Sequence, residues 1–158
     1  MRSSFLRLVA SVVVIAVEGC GDCGGGGGFG FGARAADAVA LQPSASVLRE
    51  ADGATVVEVQ LQVPGDRCSA GPTVTRFFRW NPMTLRAEPT QQGHQAGSRI
   101  LPPTTQGGGT DTYEDVAPGL TVRIAPNFSG QAVTVTFTTA TSTQTLSCAA
   151  QGGSLVCT

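Results

Sequence analysis

Residues 54–63 read ATVVEVQLQV, the clearest strand pattern in the chain. Its apolar and polar side chains alternate, with Val57, Val59, Leu61 and Val63 on one set of positions and Glu58, Gln60 and Gln62 on the other. A period of two places the two sets on opposite sides of a strand. This pattern is typical of an antiparallel sheet with one face in a core and the other in water. The sequence Pro64-Gly65-Asp66 then ends the strand.

The same signal recurs along the chain. Alternating or β-branched stretches predict strands at 44–50, 73–80, 120–125, 131–139, 143–149 and 154–157, with a short strand at 98–101. No window has the 3.6-residue period of an amphipathic helix. Short strands separated by turn residues predict an all-β fold, a single antiparallel β-sandwich over residues 38–158. Trp80 is expected to be a core or edge aromatic side chain.

Residues 48–63, LREADGATVVEVQLQV, resemble the opening strands of immunoglobulin-like and fibronectin-like modules of bacterial surface proteins, and of Calx-β repeats in particular. The resemblance covers these 16 residues, about a tenth of the chain, and implies an immunoglobulin-like sandwich. It transfers no functional residue. The Cys…Trp…Cys spacing of immunoglobulin domains is not met, because Trp80 follows Cys68 closely and the next cysteine is Cys148.

The N-terminus has the pattern of a secretory signal, predicted over residues 1–19. Residues 1–7 carry Arg2 and Arg7 without an acid, and residues 8–17, LVASVVVIAV, are apolar apart from one serine. Ten apolar residues span about 15 Å as a helix, which is half of a bilayer core. The stretch is therefore expected to be an export signal rather than a permanent membrane anchor.

The residues Val17-Glu18-Gly19-Cys20 resemble the lipobox of bacterial lipoproteins. The resemblance implies that Cys20 becomes the acylated first residue and anchors the protein to a membrane, the outer membrane in a cell that has one, since Gly21 follows. Glu18 departs from the pattern, which normally holds a small uncharged residue there. The alternative is an ordinary secretory signal and a freely secreted protein. Residues 20–37 are glycine-rich and are predicted to form a flexible tether.

The cysteine count supports export. Of five cysteines, four remain if Cys20 takes lipid, and an even number fits an oxidising compartment. A two-residue turn at 152–153 pairs Cys148 with Cys157 at a non-hydrogen-bonded position, where a disulfide fits. Cys23 and Cys68 are then left to pair by elimination. The spacing of Cys20 and Cys23 fits a zinc site, but Cys20 is expected to carry lipid and the single histidine has no near partner. No zinc site and no cofactor are therefore predicted.

Composition excludes one class of partner. Charged residues make up 13% of the chain and the net charge is −1, so no basic surplus is available to bind the phosphates of a nucleic acid. Three acids, Asp111, Glu114 and Asp115, form a candidate calcium site, although a solvated turn explains them equally well. Residues 86–112 read as a long loop that is mobile rather than functional.

Nothing in the chain indicates catalysis. The one histidine, His94, lies among glycine and glutamine, and neither GxSxG nor HExxH occurs. We therefore expect a cell-envelope lipoprotein carrying a non-enzymatic binding or structural module, with a protein or a glycan at the cell surface as its partner. The threonine-rich stretch 134–145 is able to bind a flat ligand or another β-module. The alternatives are a secreted binding protein and, less favoured, a small surface enzyme that uses the 86–112 loop.

Overall fold

The computed structural model describes residues 43–63, 71–91, 93, 95–151 and 153–158. Within these residues the chain forms eleven β-strands and no helix. They are β1 Ser44–Arg49, β2 Thr55–Gln62, β3 Thr73–Asn81, β4 Arg86–Thr90, β5 Arg99–Ile100, β6 Thr105–Gly107, β7 Thr110–Ala117, β8 Leu120–Asn127, β9 Ala132–Thr138, β10 Thr143–Gln151 and β11 Ser154–Cys157.

The strands form two antiparallel sheets that pack against each other. The first sheet has the order β4-β3-β2-β1-β5 and the second the order β11-β10-β9-β8-β7-β6. The predicted antiparallel β-sandwich is confirmed. The chain completes the first sheet before it enters the second, crossing once between β5 and β6, whereas the strands of immunoglobulin domains alternate between sheets. The likeness to those modules is one of architecture and not of connectivity.

The core lies between the sheets and is built from the inward positions of their central strands. On β2 these are Val57, Val59 and Leu61, and on β9 they are Val133, Val135 and Phe137, all less than 2% exposed. The ring of Trp80 stacks on that of Phe137 across the sandwich, with centroids 5.9 Å apart and planes 10° apart. Trp80 is thus a core residue.

The strands predicted from alternation are present, each within a few residues of its expected bounds, whereas the prediction of a mobile loop over 86–112 is wrong. That segment contains β4, β5, β6 and the first residues of β7. The strands β4, β5 and β6 are short and each lies at a sheet edge. In β4 only Ala87 is buried, and β5 and β6 are exposed throughout. Because such strands bury little, their sequences lack the apolar alternation that identifies a strand.

The C-terminal hairpin has the predicted register. Cys148 pairs with Cys157 and Gln151 with Ser154, and the two cysteines form a disulfide with Cα atoms 4.0 Å apart. Ser147 and Thr158 exchange both of their backbone hydrogen bonds, so the adjacent cysteine pair occupies a non-hydrogen-bonded position.

Several predictions concern other parts of the chain. The signal at 1–19, the tether at 20–37, the lipidated Cys20 and the pair Cys23 and Cys68 all lie outside the described residues.

A β-bulge in β7 is the site of hydrogen bonds between the second sheet and the first. The register between β7 and β8 shifts between Tyr113 and Ala117, and Asp115 within the shift has a φ of 50°. The shift leaves the carbonyl oxygen of Val116 free to accept hydrogen bonds from across the sandwich. The hydroxyl of Thr55 donates to it at 2.6 Å, and the guanidinium of Arg49 donates to it as well.

Candidate binding surface

The outer side of the second sheet carries many hydroxyl groups and one arginine. We call this surface the hydroxyl face. It is formed by side chains that alternate along their strands with buried ones. Its members are Thr105, Thr112, Thr121, Arg123, Thr134, Thr136, Thr138, Thr143, Thr145 and Ser147. None of them is buried, whereas their inward neighbours, such as Val122 and Val135, are completely buried.

Strand register arranges these side chains in rows. One row crosses five strands through Thr105, Thr112, Arg123, Thr136 and Thr145, each paired with the next. Neighbouring strands lie about 4.8 Å apart, and the next row along a strand is about 6.7 Å away. The hydroxyl oxygens of Thr136 and Thr145 are 3.4 Å apart, close enough for either to donate to the other.

A second row passes through Thr121, Thr138 and Thr143. A third links Ala125, Thr134 and Ser147. The hydroxyl face is therefore two-dimensional, with hydroxyl groups repeated both along the strands and across them.

The local sequence explains why this surface forms strands. Residues 132–138 read AVTVTFT, in which Val133, Val135 and Phe137 enter the core. The alternate threonines are β-branched, so their restricted χ1 angles suit a pleated surface as well as those of valine do. These threonines remain partly exposed, whereas the residues between them are buried.

Arg123 is the one charged side chain at the outward positions of β8, β9 and β10. It is exposed and forms no ion pair with any residue that the structure describes. Its cross-strand neighbours, Thr112 and Thr136, are uncharged. The exposed Glu114, two residues after Thr112 on β7, is the nearby acid, but it forms no ion pair with Arg123, so the guanidinium donors are available to a ligand.

The three acids of the candidate calcium site lie on β7 rather than in a turn. Asp111 is half-buried and in register with Ile124, while Glu114 and Asp115 are exposed. Burial and the nearby carboxylate of Asp111 raise the pKa of Tyr113 above its ordinary value of 10.0. Across the described part of the chain, no three His, Cys, Asp or Glu side chains are grouped as a metal ion requires. The structure therefore does not bring the three acids together into a site.

The outer side of the first sheet is different, because it is covered. Its outward Leu48, Val56 and Glu58 are each less than 7% exposed. A narrow cavity there is lined by Leu48, Glu50, Val56, Phe77, Gly93 and Ser98. Part of the segment between β4 and β5 thus packs on this sheet, whereas the described residues leave the hydroxyl face open.

An ionic cluster lies at one end of this covered side. The carboxylate of Glu50, whose side chain is 4% exposed, is 3.0 Å from the guanidinium of Arg79, which also binds Asp52. The backbone N–H of Ala54 donates to Asp52 at 2.9 Å. This hydrogen bond, together with Arg79, lowers the pKa of Asp52 below its ordinary value of 3.8. The cluster ties β3 to the turn between β1 and β2, which is a structural role.

Sequence reasoning found part of this surface. The outward threonines of 134–145 were singled out, but Arg123 was not, although it occupies an outward position of the predicted strand 120–125. The signal that could have identified Arg123 is a charged residue at an outward strand position in a chain that has few charged residues. His94, the base of the alternative enzyme hypothesis, lies outside the described residues.

Comparison of the chain with family models, with curated proteins and with solved structures finds no match in any of the three. In the part of the chain that the structure describes, no helix is long and apolar enough to cross a membrane.

Proposed function

We propose that this protein is an exported cell-envelope lipoprotein, anchored through lipid on Cys20, whose β-sandwich is a non-enzymatic binding module. The observation that carries the binding role is the hydroxyl face. One sheet of the sandwich has its outer side covered, while the other presents ordered rows of hydroxyl groups that no described residue covers.

The anchor is supported by the lipobox-like residues Val17-Glu18-Gly19-Cys20. The 24 residues from Cys20 to Pro43 reach at most about 80 Å when fully extended. A domain held this way meets polymers and proteins of the envelope without leaving the membrane. Stable membrane anchoring requires two or more acyl chains, since one chain alone binds membranes only marginally.

Binding fits the chemistry of the hydroxyl face better than catalysis does. A threonine or serine hydroxyl becomes a nucleophile only beside a general base. On β8, β9 and β10 the outward charged group is Arg123, whose guanidinium stays protonated and cannot accept a proton. The same groups are well suited to hydrogen bonding with a ligand.

Two variants of the full chain test the proposal in the native host. Cys20→Ser removes the acylation site, so any remaining association with the envelope must come from the domain. We expect the wild-type mature protein to have a mass that begins at Cys20 and includes acyl chains. We expect Cys20→Ser to lose the lipid and still to co-sediment partly with envelope fragments.

Adding Thr136→Glu to Cys20→Ser places a carboxylate in the hydroxyl face and is expected to abolish this co-sedimentation. The matched control is Thr75→Glu, which adds the same charge at an exposed outward position of β3 in the first sheet. An unmodified wild-type mass would refute the anchor, and equal effects of the two glutamates would refute the binding role of the hydroxyl face.

A further inference from the structure

We propose that the hydroxyl face binds an acidic polysaccharide, with a uronic acid carboxylate paired to Arg123 and sugar hydroxyls hydrogen-bonded to the threonines around it. This inference rests on the proposed function, which it deepens by naming a ligand class. It follows from three properties of the surface, namely its polarity, the position of its one cation and the spacing of its hydroxyls.

The polarity of the surface points to a ligand rich in hydroxyl groups. The outward positions of β8, β9 and β10 carry Thr, Ser, Ala, Asn and Gln besides Arg123. Protein interfaces draw their affinity from buried aromatic and large apolar anchors, and these strands offer none on their outer side. Threonine hydroxyls both donate and accept, as sugar hydroxyls do, so the two surfaces are complementary.

The cation specifies a carboxylate. Arg123 lies on β8, the strand between β7 and β9, and its neighbours in register, Thr112 and Thr136, are uncharged. The exposed Glu114 follows two residues after Thr112 on β7, but it forms no ion pair with Arg123. A guanidinium pairs with a carboxylate through two parallel hydrogen bonds, which a neutral sugar cannot form. A single cation in a chain of net charge −1 does not suit a nucleic acid, whose binding depends on many contacts to phosphate.

The spacing allows several contacts at once. Threonines of the same row lie one strand from Arg123 on each side, and Thr145 lies two strands away, about 10 Å. A bound uronate therefore brings its neighbouring sugar units over further hydroxyl groups. The ordered rows supply affinity along the polymer, and Arg123 supplies the preference for an acidic unit.

The test measures binding of polygalacturonate to the full chain carrying Cys20→Ser. This variant lacks the lipid, so it is studied without detergent. The matched ligand is the methyl-esterified polymer, which keeps the sugar backbone and loses the charge. The matched variants are Arg123→Gln and Arg86→Gln. Arg86 is an exposed arginine on β4 of the first sheet, so both substitutions remove one positive charge.

We expect the acidic polymer to bind and the esterified one to bind at least about tenfold more weakly, because a hydrogen bond to a charged group is lost. Arg123→Gln is expected to reduce binding of the acidic polymer by about tenfold to a hundredfold. Arg86→Gln is expected to leave it within about twofold, as a distant surface charge does at moderate salt.

Three results would overturn the inference: no binding of the acidic polymer, equal binding of both polymers, or equal effects of the two arginine variants. If the inference fails while Thr136→Glu still abolishes envelope association, the proposed function stands with a different ligand. If Thr136→Glu and Thr75→Glu act alike, the proposed function fails with it.

Discussion

The side-chain amide of Gln144 pairs with the backbone of Ala87 as a residue of a neighbouring strand does. Its Nε2 donates to the carbonyl oxygen of Ala87 at 3.2 Å, and its Oε1 accepts from the N–H of Ala87 at 2.7 Å. Ala87 lies on β4, an edge strand of the first sheet, and Gln144 lies on β10 of the second. One polar side chain therefore satisfies both backbone groups of an edge residue and joins the two sheets.

We predict that Gln144→Leu lowers the free energy of unfolding by about 1–3 kcal/mol, because it leaves a partly buried donor and acceptor without partners. The measurement is equilibrium denaturant unfolding followed by the fluorescence of the single tryptophan, Trp80. The matched control is Gln151→Leu, at an exposed position of β10, which is expected to change stability by less than about 0.5 kcal/mol. Equal effects of the two substitutions would show that the bonds to Ala87 contribute nothing.

The hydrogen bonds that Thr55 and Arg49 donate to the carbonyl of Val116 give a second prediction. Thr55→Val keeps the shape of a side chain that is 3% exposed and removes its 2.6 Å hydrogen bond. We expect a loss of about 1 kcal/mol, since a typical net hydrogen bond contributes this much and Arg49 continues to bind the carbonyl. Hydrogen exchange of the amides of β7 is expected to accelerate as well. Thr75→Val, at an exposed position, serves as the control, and a stability loss as large as that of Thr55→Val there would refute the assignment.

The disulfide gives a third prediction. The double variant Cys148→Ala, Cys157→Ala opens a loop of ten residues, which the chain-entropy relation values at up to about 2.7 kcal/mol. Unfolding of the variant and the wild type under non-reducing conditions is expected to differ by no more than this plus a small cavity term at Cys148. A non-reducing peptide map is expected to join Cys148 to Cys157 in the wild type. Finding both as free thiols would refute the bridge.

Tyr113 gives a prediction for alkaline pH. Its pKa is raised above 10.0, first by burial and then by the carboxylate of Asp111. The unfolded chain therefore releases this proton at a lower pH than the folded protein does. The stability that neutral Tyr113 provides is complete below pH 10.0 and is lost as the pH rises towards the folded-state pKa.

Tyr113→Phe is expected to flatten this alkaline loss of stability, and Asp111→Asn is expected to lower the pKa of Tyr113 towards its ordinary value. Both effects are measurable, because the chain contains one tyrosine and no lysine that titrates in the same range. Tyrosinate absorbance reports the pKa, and denaturant unfolding at several pH values reports stability. An unchanged pKa in Asp111→Asn would rule out the carboxylate as a cause.

The strand β9 was predictable from sequence, whereas β7 was not. In β9 the apolar side chains keep a strict period of two, so the pleat alone predicts which of them enter the core. In β2 alternation predicts the inward residues, but the expectation that the other face lies in water is wrong, because Val56 and Glu58 are buried under the covered side of the first sheet. In β7 the bulge breaks the period of two. Tyr113 and Val116 are both buried, although a regular strand would place residues i and i+3 on opposite faces. The sequence pattern therefore predicts no strand there, and its three acidic side chains fit a calcium site or a solvated turn equally well.

The all-β class, most strand positions and the pairing of Cys148 with Cys157 are predictable from the amino-acid sequence, because alternation along a strand and a two-residue turn are local properties. Which sheet face the described residues leave uncovered is a property of the tertiary structure. One row of the hydroxyl face crosses five consecutive strands, β6 to β10, and the register between neighbouring strands sets which side chains share it; Arg123 has its uncharged neighbours through the register of β7 and β9. Register between strands depends on how each sheet buries its inner side, and this depends on the whole core at once.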